Sequence, residues 1–189
     1  MPPWRGEGSL SVFVSLLLVG SSLAAPQLAM EAASQTIVDD NAAGLSTGVN
    51  RIIGGIISYA RWPADLPRTP RTMCVAGTPQ LTDHIAPAVP GGKSIAVRRL
   101  SAPANGSGCD ILFLGRMPAA DRQRLIAWVR GRPVLTITDD DPGCSYGAMF
   151  CLRTRAPGVS FSVNLDAIGR GPLRIDPRVL KIGSDGDAS

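Results

Sequence analysis

Cys109-Asp110-Ile111-Leu112-Phe113-Leu114-Gly115, then Pro118 to Arg130, then Pro133-Val134-Leu135-Thr136-Ile137-Thr138: these three consecutive stretches decide the fold. The outer two are short and continuously apolar, as strands buried on both faces read. Between them, Leu125, Ile126 and Val129 gather on one face of a helix, while Arg122, Arg124 and Arg130 fall elsewhere. Strand, helix, strand in that order implies a parallel sheet.

Upstream, Thr72 to Gly77 reads as another buried strand and Ser94 to Leu100 as a strand-like run. Pro79 to Ala88 reads as a helix capped by Thr78. Ile52, Ile53, Ile56, Ile57 and Ala60 recur at helical spacing until Pro63 stops them, with Trp62 placed to anchor that helix to the body. Downstream, Asp139-Asp140-Asp141 reads as a solvated turn, and Ala148 to Arg153 pairs with Val159 to Leu165 as strands. A short helix around Asp166 to Gly169, an extended Leu173 to Ile175 and a last helix from Asp176-Pro177 complete the order. The expected class is α/β: a mostly parallel central sheet flanked by helices on both faces, with a late antiparallel strand pair, a Rossmann-like sandwich.

Length and charge narrow the role. A chain of 189 residues suits one domain with a modest tail. Its net charge of +4 rests almost wholly on arginines scattered along the sequence, so no clustered basic face points to nucleic acid. Arg5, the apolar Leu10 to Val19 and the small residues Ser22-Leu23-Ala24 have the layout of a secretory signal peptide, expected over residues 1–25. The apolar core falls well short of the ~20 residues that span a bilayer. A flexible, partly helical lead-in is expected over residues 26–48, the domain over residues 49–183 and a disordered tail over residues 184–189.

Export changes how the four cysteines read, since an oxidising compartment favours disulfides. Three pairings are open. Cys144 and Cys151 flank a turn-like Ser145-Tyr146-Gly147-Ala148, which one bridge can clip, leaving Cys74 for Cys109. Without a C-x-x-C pair, and with His84 the sole histidine, zinc finds no support, and neither a metal nor a cofactor is expected.

Gly143-Cys144-Ser145-Tyr146-Gly147 matches G-x-S-x-G, but a nucleophile elbow needs a strand before it, a helix after it and a histidine downstream. Here a strand-like run follows and His84 lies upstream, as a surface or half-buried side chain. The three aspartates lack the longer alternating loop of a calcium site. No glycine-rich nucleotide fingerprint follows a strand. Arg61 and Arg174 form an anion site if the fold brings them together, and are ordinary solvated arginines otherwise. Nothing here implies an enzyme.

A set of segments in one order adds a resemblance. Ile57-Ser58-Tyr59-Ala60-Arg61-Trp62-Pro63, Cys74-Val75-Ala76-Gly77, Cys109 to Gly115 and Arg132 to Ile137 come first. Cys144-x-x-Gly147-Ala148-Met149-Phe150-Cys151-Leu152, Phe161 to Ala167 and Leu173 to Leu180 follow. Over roughly Val49 to Gly183 the chain resembles the YfiR family of periplasmic repressors. The resemblance implies a homodimer that binds the periplasmic part of a membrane diguanylate cyclase (YfiN) and holds it inactive. It also implies sequestration by an outer-membrane lipoprotein (YfiB), with cyclic-di-GMP and biofilm formation as the output. It further implies redox control, the pairing Cys74–Cys109 and Cys144–Cys151, and partner contact near Phe150 and Ile168. A small-molecule sensor using Arg61 and Arg174 is the alternative reading.

Overall fold

A computed structural model describes residues 42–64, 70–101, 105–156 and 158–183. The expected signal peptide, most of the lead-in and the tail lie outside the described residues. The described residues open with α1 (Ala42–Tyr59), which starts inside the stretch read as lead-in and ends, as Pro63 requires, just before β1 (Ala60–Arg61). Then come β2 (Arg71–Ala76), β3 (Ile95–Arg99), β4 (Ile111–Leu114), α2 (Ala119–Val129) and β5 (Leu135–Thr138). The chain continues through β6 (Phe150–Arg155), β7 (Gly158–Val163), α3 (Leu165–Gly169), β8 (Arg174–Ile175) and a 3-10 helix (Pro177–Gly183).

The main sheet has the order β3-β2-β4-β5-β6-β7, parallel from β3 to β6 and antiparallel only where β7 returns along β6. β1 and β8 form a separate antiparallel pair. Because strand side chains alternate between faces, the continuous apolar runs fill two cores at once. Ile111 and Phe113 of β4 join Met73, Val75, Leu135 and Ile137 on the α1 face. Leu112 and Leu114 join Cys74, Ala76, Leu125 and Val129 on the α2 face. Each fully buried side chain of this size contributes about 1.5–3 kcal/mol.

The second half of α1 is buried nearly all round, with Gly54 and Gly55 at its most crowded point. A Cβ on Gly54 would lie 2.0 Å from the Ala88 carbonyl oxygen, and one on Gly55 would lie 2.8 Å from Ile182. Two bare positions thus let the segment before β3 and the C-terminal 3-10 helix both lie directly on the helix. Trp62 packs against the same core, and the Arg71 guanidinium stacks 4.0 Å above its ring.

Pro79 to Ala88 is not a helix. Its backbone donors are taken by distant side chains: Asp139 accepts from the N–H groups of Gln80 and Leu81, and Asn50 Oδ1 accepts from Ala86 N–H. Asn50 Nδ2 donates to the His84 carbonyl in return, and Thr78 pairs with Arg116 where a cap was expected. With prolines at positions 79, 87 and 90 donating nothing, these tertiary bonds outcompete a local helix.

Candidate interaction site

Between the carboxyl end of β5 and the start of β6 the chain builds a loop from residues that look unremarkable one by one. The three aspartates that open it are not a solvated turn. Asp139 and Asp141 are buried, and each carboxylate holds a different segment. Asp141 accepts from Ser145 N–H at 3.1 Å and Tyr146 N–H at 2.7 Å, and Asp140 pairs with Arg122 of α2. Burial raises the Asp139 carboxyl above the ordinary range, outweighing the Leu81 and Gln80 N–H bonds to it; the charge of Asp140 acts in the same sense as burial.

Cys144 sits at the crest of this loop with φ +50, a left-handed conformation that costs a non-glycine residue about 1–2 kcal/mol. The Asp141 bonds and the bridge to Cys151 hold it there. From the opposite side, Asn164 donates through Nδ2 to the Cys144 carbonyl at 3.1 Å and caps α3 by accepting from Ala167 N–H at 2.9 Å. One asparagine therefore ties the disulfide loop to α3. Between them opens a cleft of about 200 Å3, lined in part by Ile126, Ser145, Tyr146, Met149, Asn164 and Ala167.

Two large apolar side chains are exposed here: Tyr146, which lines the cleft, is 57% exposed, and Leu165, next to Asn164 at the start of α3, is 75% exposed. The Arg122 guanidinium lies over one face of the Tyr146 ring, 5.0 Å from its centroid.

The residues singled out from the sequence fall in several places. Both disulfides form as anticipated, with Cα separations of 5.7 Å for Cys74–Cys109 and 5.5 Å for Cys144–Cys151. Phe150, expected at a partner contact, is instead wholly buried on the α1 face, its ring 5.7 Å from that of Phe161; as packed here it offers a partner no surface. Ile168 is half-buried against the same core. Ser145 is exposed but is followed by β6 instead of a helix, and His84 sits exposed in the segment before β3.

Arg61 and Arg174 do meet, as directly opposed residues of the β1–β8 pair. Arg61 Nη1 donates to the Ser58 and Ala60 carbonyls, closing the C-terminal end of α1. Beside them the Arg178 guanidinium, helped by the charge of Arg61, holds the Asp176 carboxyl down to about 2. Tyr146, Leu165, Asp141 and Asn164 were missed from the sequence. Two signals were present: Asp141-Pro142-Gly143 is an aspartate-led turn, and Asn164 stands where a helix N-cap belongs.

Fold and site together define a disulfide-braced, open α/β domain with crossovers on both faces of its sheet. The YfiR/HmsC-like family model matches residues 48–184, more than half of the chain, and the chain belongs to that family. Membership makes it a regulatory domain of the periplasmic kind, and its two disulfides accord with an oxidising compartment and with redox sensitivity. Among the described residues no helix is long and apolar enough to cross a membrane.

Proposed function

We propose that the chain is a periplasmic negative regulator that binds and inhibits an inner-membrane diguanylate cyclase of the YfiN kind, lowering cyclic-di-GMP and biofilm formation. The observation that carries this reading is the pair of exposed apolar side chains, Tyr146 on the loop clipped by Cys144–Cys151 and Leu165 on α3, which Asn164 ties to that loop. Single exposed apolar residues are ordinary, but two on a cross-linked loop and the helix tied to it suit a docking surface. Inhibition needs no catalytic group. A regulator that binds the inactive cyclase ~100-fold more tightly than the active one biases the switch by about 2.7 kcal/mol. The protein acts as a homodimer, and an outer-membrane lipoprotein of the YfiB kind releases the cyclase by sequestering this regulator.

The test is binding of the purified, oxidised chain to the periplasmic domain of its cyclase, before and after mild reduction. Micromolar binding is expected, weakened about tenfold by reduction and by Tyr146→Ser with Leu165→Ser. Absence of binding in both redox states overturns the reading.

A second reading rests on the opposition of Arg61 and Arg174. Like charges directly across an antiparallel pair repel, and Asp176 offsets that only in part, so an anionic small molecule seated there would relieve the repulsion and tune repression.

A further inference from the structure

The chain reverses its direction across the sheet at β2. From β2 it runs out to edge strand β3 by a segment whose Ile85 and Val89 pack on the α1 face. It then crosses back to β4 and continues to β5 through α2 on the other face. In open parallel sheets the loops on either side of such a reversal leave on opposite faces, and the crevice outside the carboxyl ends of those strands is where ligands bind.

At that place a second cleft, of about 150 Å3, opens between the end of β3 and the first turns of α2. Ala76, Leu100, Met117 and Leu125 form its apolar part. An open cleft of this size has room for one benzene-sized ring against its apolar wall. Its lip is charged by Arg116, Asp121 and Arg124. Arg124 is matched by Asp121 at 3.1 Å. Arg116 is poorly matched: its side chain is 70% exposed and reaches only 3.8 Å from Asp140, whose other oxygen is already held by Arg122. The lip therefore presents about one uncompensated positive charge over an apolar slot.

We propose that this cleft binds a small aromatic carboxylate, with the ring between Leu100, Met117 and Leu125 and the carboxylate on Arg116. The site is separate from the Cys144–Cys151 rim and from the Arg61–Arg174 pair, and the proposal stands whether or not the chain docks on a cyclase. It is tested by titrating the isotopically labelled, oxidised chain with sodium benzoate and following backbone amide shifts. Saturable shifts at Ala76, Gly77 and Leu100 with Kd about 1 mM are expected, as suits so small a ligand. Benzyl alcohol in place of benzoate, or Arg116→Ala in place of the native chain, is expected to weaken binding about fivefold, the loss of one exposed charge contact. Ser101→Phe, which fills the cleft from its exposed edge, is expected to abolish it; retained dispersion of the remaining amides reports that this variant folds. The proposal is overturned by no saturable shift up to about 20 mM benzoate, by shifts centred on Arg61 and Arg174 instead, or by unchanged affinity in Arg116→Ala.

Discussion

Cys74–Cys109 spans a sequence separation of 35, whereas Cys144–Cys151 spans 7. The first lies in the core, with both cysteines buried beside Leu112 and Leu114. The second has one buried partner, Cys151, and one half-buried partner, Cys144, whose backbone is in the left-handed region. The chain-entropy relation assigns about 4 kcal/mol to the longer closure and about 2 kcal/mol to the shorter. One bridge thus mainly stabilises the domain and the other mainly shapes a surface. A redox signal that opened the first would threaten the fold; one that opened the second would alter the rim and leave the sheet standing.

The largest effect that can break this contrast is in stability. Cys74→Ala with Cys109→Ala is expected to lower the unfolding free energy by about 4 kcal/mol, and Cys144→Ala with Cys151→Ala by about 2 kcal/mol, measured by denaturant melts. Equal losses would abolish the distinction. A smaller effect sharpens it: Asp141→Ala leaves both bridges intact but removes the acceptor for Ser145 and Tyr146 N–H. It is expected to cost about 1–3 kcal/mol and to speed amide exchange at those two residues while exchange in β2 stays unchanged.

The smallest effect is in pH. Asp139, at the root of the clipped loop, has a folded pKa raised above 3.8, so the native state holds the extra proton between 3.8 and the raised value. Stability is therefore expected to fall as pH rises through that window, and Asp139→Asn should flatten the slope. Asp176 acts oppositely. Its carboxyl at about 2 supports the fold above 3.8, and that support is lost as pH falls toward 2. Melts across both windows separate the two groups.

What the sequence made legible followed from local periodicity. The apolar runs at β2, β4 and β5, the stripe Leu125–Val129 and the Pro63 stop each carry their own signal. The cysteine pairing was readable too, because a separation of 7 leaves a short turn to clip. The helix expected over Pro79 to Ala88 and the solvated turn expected at Asp139 fail for one cause. That segment and Asp139 hold each other, and Asn50 holds the segment too, through bonds that cross 36 to 59 positions of sequence. No local pattern records such partners. The rim was hidden for a related reason: the exposure of Tyr146 and Leu165 depends on where α3 comes to rest.

The strand order also bears on how the chain acquires its bridges. β2, carrying Cys74, and β6, carrying Cys151, are separated by β4 and β5, which places them about 14 Å apart at the usual strand spacing. A disulfide needs Cα atoms within about 7 Å. Once the sheet has assembled, Cys74 and Cys151 are out of reach of each other, while each native partner stands within 5.7 Å. Oxidation after assembly is therefore closed to the one pairing that joins Cys74 to Cys151. The strand order itself proofreads that error.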